Sequence, residues 1–211
     1  MIMIKEHDFI EIDYTGRTAD DESVFDTTVQ SVADENHIHA HDLKPVIICV
    51  GEAQLLKGLD EQLLGKDIGE HTIRIGAEKA FGKKSAKLIQ LISTSKFAKE
   101  KIQPVPGLQV TIDGMNGLVR TVTGGRTMVD FNHPLASRDL VYTVNIKRMV
   151  TDPKEKAESL LKSLFQDAET ELTEGVLNVK TKVKLPAEIH KMLEQRVTKL
   201  VPEIKSVSFG K

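Results

Sequence analysis

Val50-Gly51-Glu52-Ala53-Gln54-Leu55-Leu56-Lys57-Gly58-Leu59-Asp60, followed closely by Leu64-Gly65-Lys66-Asp67-Ile68-Gly69-Glu70, is the stretch on which the fold turns. The apolar run from Pro45 to Val50 reads as a strand, and Gly51 ends it. Leu55, Leu56, Leu59 and Leu63 recur at helical spacing, which predicts a helix over 52–64. Gly65 closes that helix as the residue best able to turn left-handed. Gly69 to Ile75 then resumes as a strand.

Upstream, Phe9 to Tyr14 alternates apolar and acidic residues, the period of a half-buried strand, within a strand running from Ile4 to Arg17. Asp20-Asp21-Glu22 is a solvated turn, and a polar stretch runs from Phe25-Asp26 to Asp42. Downstream, Ala80-Phe81-Gly82 is a turn, and residues 85–126 read as a separate module. Leu88 to Ile92 is strand-like there, and Ser95 to Lys101 has room for one or two helical turns. Pro104 and Pro106 break the chain, and Leu108 to Ile112 alternates. Gly124-Gly125 between two apolar runs is a hairpin signal. Leu140, Tyr142, Val144 and Ile146 share one face of a later strand. After Thr151 the texture changes. Asp152-Pro153-Lys154-Glu155 has the N-cap, N1 and N3 residues of a helix start, and Leu160, Leu161, Leu164 and Phe165 continue as an apolar stripe. Leu177, Val179, Thr181, Val183 and Leu185 line a strand, Pro186 to Val201 is a second helix, and Ile204 to Phe209 is a final strand. So short a segment buries little core alone, which leaves two readings open: a covering surface, either the main body or a second chain, and a self-contained small domain.

Composition is that of an ordinary globular chain: 211 residues, 40% hydrophobic, 28% charged, with aromatics at only 4%. The net charge of −2 leaves no chain-wide footprint for nucleic acid. The charge is uneven, with eleven Asp or Glu against Lys5 and Arg17 in residues 1–42, and seven Lys against Glu100 in residues 79–101. Cys49 is the only cysteine and lies in an apolar run, which reads as core rather than nucleophile. No apolar stretch is long enough to span a bilayer, and Glu6 and Asp8 interrupt any leader-like opening. A cytoplasmic location is the expectation.

His37-Ile38-His39-Ala40-His41 is the one metal-like cluster. On an extended segment these alternating imidazoles project to one side and could share a zinc or nickel ion. No HExxH, paired CxxC, P-loop or nucleophile elbow is present. Gly124-Gly125 is a turn and not a phosphate cradle.

The remaining segments form an ordered set: Tyr14-Thr15-Gly16-Arg17, Val24-Phe25-Asp26-Thr27-Thr28, the Val50–Asp60 and Leu64–Glu70 stretches, Ala80-Phe81-Gly82, Asn132-His133-Pro134-Leu135-Ala136 and Leu140-Val141-Tyr142-Thr143-Val144. In order and spacing this resembles the FKBP family of peptidyl-prolyl cis/trans isomerases. An insertion after Gly82 resembles the insert-in-flap of SlyD-like members and their archaeal relatives, and the tail resembles the long-type archaeal subgroup. The implied fold is α+β, an antiparallel sheet wrapped on a short helix, with a small mainly-β insert and an α/β C-terminal domain. The implied domains are 1–84 with 127–151, 85–126, and 152–211.

The resemblance implies a pocket in which Asp26 lies beside the substrate carbonyl. Tyr14 hydrogen-bonds Asp26, the Leu56 N–H holds the carbonyl after the proline, and Tyr142 completes the catalytic set. Phe25, Val46, Leu55, Leu59 and Phe81 line the pocket, with Leu135 near the rim. Leu59 stands where many members carry a tryptophan, Val46 replaces an aromatic, and Phe81 replaces a tyrosine. The insert is expected to hold unfolded chain through Leu91, Ile92, Phe97, Ile102, Val105, Leu108 and Met115, with about half of these forming its own core. No cofactor is called for, because rotation about an X–Pro bond needs neither nucleophile nor metal. The expected partners are proline-containing unfolded polypeptides, not nucleic acid or membrane, and the long-type resemblance adds homodimerisation through the tail. The alternatives are a non-catalytic holdase and a metal-binding chaperone using His37, His39 and His41.

Overall fold

A computed structural model describes residues 3–162, 165, 168–182 and 186–210. Leu164, Val183 and Leu185 of the apolar patterns lie outside the described residues. The chain is α+β and divides into two compact units, 1–75 with 140–211, and 76–139.

The first unit is organised by β1 (Phe9–Thr18). Its alternation buries Ile10 and Ile12 completely. One edge of β1 pairs antiparallel with β9 (Leu140–Met149), which pairs in turn with β4 (Gly69–Ile75). The other edge is shared: β3 (Val46–Cys49) takes its first half and β2 (Val24–Thr27) its second. A short helix α1 (Gln30–Glu35) follows β2, and α2 (Lys57–Leu63) leads into β4. The helix expected over 52–64 thus begins five residues late. The reason is Asp60, whose carboxylate accepts the Gly51 N–H at 2.9 Å and the Ala53 N–H at 3.1 Å. With those donors claimed and Ala53 at φ +54, residues 51–56 form a loop and Leu56 becomes the N-cap.

The tail belongs to this same unit. Asp152 caps α4 (Pro153–Leu161) by accepting the Lys154 and Glu155 N–H groups, as its sequence predicts. A three-stranded sheet follows: β10 (Glu169–Thr173) and β11 (Val176–Lys180) form a hairpin, and β12 (Ser206–Gly210) joins β11 in parallel after α5 (Ala187–Leu200). β10 is rich in Glu and Thr and carries little apolar signal. Of the two surfaces open from sequence, the apolar faces of α4 and α5 take the main body: Leu160, Leu161, Leu193, Val197 and Val201 share one cluster with Phe9, Cys49 and Val150.

The second unit is a four-stranded antiparallel sheet in the order β5 (Ile89–Ser93), β8 (Arg126–Asp130), β7 (Met115–Thr123), β6 (Gln109–Ile112), with α3 (Thr94–Lys99) on it. The expected boundaries at 85 and 126 cut through this unit. β8 is an inner strand of its sheet, and the flanking segments bond to each other. Asp139 accepts the Ala77 N–H, Ser137 Oγ the Lys84 N–H, and Asn132 exchanges two bonds with Ser85. Gly117 lets β7 close on β8, since a Cβ there would stand 2.6 Å from Val129 and 2.7 Å from Phe131.

Candidate functional site

Pairing places the site residues before any side chain is considered. Gly16 lies opposite Asp26 on β2 and Tyr142 on β9, and Ile12 lies opposite Val46 on β3. Directly opposed residues share a face, and so do Ile12, Tyr14 and Gly16 along β1. Tyr14, Asp26, Val46 and Tyr142 therefore come together on one face. Phe25, adjacent to Asp26, would alternate away from it. The register slips there, from Gly16↔Asp26 to Arg17↔Val24, and leaves Phe25 as the extra residue of a bulge. Its ring accordingly meets that of Tyr142 edge-on, with centroids 5.8 Å apart at 87°.

The Tyr14 hydroxyl donates to Asp26 Oδ2 at 3.1 Å. Its ring lies 6.0 Å from that of Tyr142, tilted by 55°. Burial, followed by the nearby Asp26 carboxylate, holds both phenols well above their usual pKa, so they remain donors throughout the neutral range. Leu59 on α2 is 1% exposed. Leu55 and Leu56 lie in the loop ahead of α2, and the Leu56 N–H meets no acceptor among the described residues. Burial, then Glu52, pushes the Cys49 thiol up to about 12, which fits a core residue and not a nucleophile.

Three positioning residues escaped the sequence reading. A Cβ on Gly16 would stand 2.8 Å from the Phe25 ring and 2.9 Å from that of Tyr142, so the strand must be bare there for both rings to approach. Thr27 Oγ1 donates to the Tyr14 carbonyl, and the Thr28 hydroxyl accepts the Tyr14 N–H. The two threonines thereby fix the Tyr14 backbone from both sides. Both stood in the quoted motif without a role.

Phe81 and Leu135 belong to the second unit. There the Phe81 ring stacks on His133 at 4.1 Å and 7°, and the Leu135 N–H donates to His133 Nδ1 at 3.2 Å. Of the seven expected capture residues, Leu91, Ile102, Val105 and Met115 are exposed. Phe97, Ile92 and Leu108 are instead part of the unit's core, around Val110, Val119, Val129 and Phe131. Leu88 and Ile89 are exposed as well, unforeseen from the sequence. A groove of about 880 Å³ runs along β6 and β7, lined by Leu118, Arg120, Asp130 and Phe131 among others.

The structure does not gather the three histidines into a metal-holding group. Among the described residues no group of three His, Cys, Asp or Glu is arranged to hold an ion. The segment is not extended: His37 takes φ +55 behind α1, Ile38 bonds back to Ala33, and Ala40 turns onto Ile38. The alternation that would align three imidazoles is lost.

Residues 2–101 match the family model of the FKBP-type peptidyl-prolyl cis-trans isomerases. Residues 90–135 match a second model, the FKBP26 IF domain. A short-type peptidyl-prolyl cis-trans isomerase of Methanocaldococcus jannaschii is 32% identical over 69% of this chain and 93% of its own length. An FKBP-type 16 kDa peptidyl-prolyl cis-trans isomerase of Escherichia coli is 32% identical over 49% of this chain and 72% of its own. The FKBP-type isomerase SlyD of Vibrio cholerae is 31% identical over 54% and 57%.

Proposed function

The chain belongs to the FKBP-type peptidyl-prolyl cis-trans isomerase family, and on that premise we propose that it isomerises X–Pro bonds of unfolded polypeptide around Asp26 while its insert holds the same polypeptide. The barrier, about 18–20 kcal/mol, is the loss of amide resonance on rotation. A twisted amide is less polar than a planar one, so a dry cleft favours the transition state over the ground state. Phe25, Val46, Leu59 and Tyr142 supply that dryness in this reading. Each 1.4 kcal/mol of preference is worth about tenfold in rate.

The observation that carries the assignment is the Tyr14–Asp26 hydrogen bond set against the rings of Phe25 and Tyr142. It holds one carboxylate oxygen and leaves Oδ1 without a partner among the described residues. Oδ1 is then the polar atom offered to the rotating carbonyl. The Leu56 N–H is the donor for the carbonyl after the proline, and the Tyr142 hydroxyl a further donor. In a protease-coupled assay on a short X–Pro peptide, the chain is expected to accelerate isomerisation well above buffer. A rate equal to buffer alone would sink the reading.

The exposed Leu91, Val105, Met115 and Ile102 support the holding role. Tethering in one chain raises the local concentration of proline segments, which favours slow-folding proteins over short peptides. A cytoplasmic site of action is part of the proposal, supported by a lone, buried, unpaired Cys49. Self-association through residues 152–211 has a smaller basis, the exposed Met192 on α5, since the buried faces of α4 and α5 are taken by the main body. Light scattering with and without the tail tests it.

A further inference from the structure

The tail reaches the loop that carries Leu56. Gln54 bridges two parts of the first unit: its Oε1 accepts the Cys49 N–H at 2.7 Å, and its Nε2 donates to the Ser159 carbonyl of α4 at 3.2 Å. Arg196 of α5 donates from Nη2 to the Glu52 carbonyl at 3.3 Å, and the same nitrogen lies 3.3 Å from Glu52 Oε2. From the body side, Asp60 holds Gly51 and Ala53. The loop is thus fixed at four of its first residues, two of them by the tail. Immediately after these anchors come Leu55 and Leu56, with the free N–H.

We propose that the C-terminal α/β segment braces the isomerase site, with Arg196 and Gln54 as positioning residues that hold the 51–56 loop for the Leu56 N–H. The inference rests on the isomerase reading and gives the tail a part in it. A donor held by a loop binds its acceptor well only when the loop is already ordered, because ordering on binding subtracts from affinity. The Leu56 N–H contacts a carbonyl outside the rotating bond, so it binds ground and transition states alike. Loosening it is therefore expected to raise KM with little change in kcat.

The test uses the full chain and a short X–Pro peptide. Gln54→Glu keeps an acceptor for Cys49 and replaces the donation to Ser159 by a carboxylate oxygen that the Ser159 carbonyl repels. Arg196→Ala removes both contacts to Glu52, and Arg196→Lys restores the charge without the fork. Arg196→Ala and Gln54→Glu are expected to raise KM on the order of fivefold to tenfold at nearly constant kcat, with Arg196→Lys intermediate. Leu177→Ala, a cavity in the core at β11 that leaves each of these loop contacts in place, serves as the control. It should lower Tm while leaving KM unchanged below the unfolding transition. Variants with the KM of an active wild type would overturn the proposal alone, as would an equal rise in Leu177→Ala. A wild-type chain without turnover would overturn the isomerase reading and this one with it.

Discussion

The residues singled out in the two units of this chain differ in how they present apolar surface. In the first, Leu59 is buried, and Phe25 and Tyr142 are held at defined angles over a bare Gly16. In the second, Leu91 and Val105 lie at least half exposed. Charge divides along the same line. Residues 76–139 carry ten Lys or Arg against five Asp or Glu, and the rest of the chain carries nineteen against twenty-six. Catalysis by desolvation needs a few groups held rigidly, whereas capture of diverse chains needs apolar area with few geometric demands. Under the proposed function, one polypeptide meets both demands by keeping them on separate sheets.

The largest break in the comparison comes at its polar centre. Asp26→Ala removes the acceptor of Tyr14 and the free carboxylate oxygen. Turnover of a short peptide is expected to fall on the order of tenfold to a hundredfold. Asp26 is exposed, so thermal stability should barely change. Unchanged turnover would remove Asp26 from the mechanism. Gly16→Ala tests the rigid side from beneath. Its new methyl forces Phe25 and Tyr142 apart, with an expected loss of about 1–3 kcal/mol in stability from overpacking and a loss of turnover approaching tenfold. Wild-type turnover in a folded Gly16→Ala chain would show that the ring geometry is not required.

The loose side breaks differently. Leu91→Ser with Val105→Ser should reduce assistance to a slow-folding, proline-limited protein several-fold, since roughly two exposed apolar anchors are lost. Short-peptide turnover should stay at wild type. Parallel loss of both activities would deny the separation. The control is Phe97→Ser, which strikes the insert's core and should unfold the unit instead of merely dulling its surface.

What could be read from the sequence follows the same division. Tyr14 and Tyr142 were legible because strand alternation and an ordered motif set both pointed to them, whereas Asp26 and Val46 came from the motif set alone. Phe25 beside Asp26 was legible only from the motif, since alternation alone sends it to the other face and a bulge is invisible in the sequence. The leucine spacing over 52–64 hid a loop because Asp60, not a helix, claims the early donors. The hairpin signal at Gly124-Gly125 pairs β8 with β7, but the motif resemblance counted residues 127–151 with the first unit, so the boundary at 126 fell inside the second. The contacts of Gln54 with Ser159 and of Arg196 with Glu52 span more than a hundred residues of chain, and no local pattern announces them. In the insert, Phe97 on α3 and Leu91 in the middle of β5 are both apolar, and only packing decides which faces water.

The smallest effect concerns how the second unit is held together. Asp130 is 6% exposed, and burial alone would raise its carboxyl. The Asn132 side-chain and backbone N–H groups and the Arg120 guanidinium outweigh burial and hold it below the usual carboxylate range. A depressed folded-state pKa means that the unfolded chain takes up the proton first as pH falls. The stabilisation is therefore complete above the ordinary carboxylate value of about 4 and declines as pH drops through the lower folded value. Asp130→Asn should melt below wild type at pH 7, with the gap narrowing toward pH 2 in thermal unfolding followed at residues of the insert. The Tyr14 carbonyl, tied by the Thr27 hydroxyl, whose partners are a hydroxyl and backbone groups that do not titrate, should show no such narrowing when Thr27→Ala is compared with wild type over the same range. A gap for Asp130→Asn that persists undiminished at pH 2 would mean that shape and hydrogen-bond count, and not the carboxylate charge, hold the insert's strands in place.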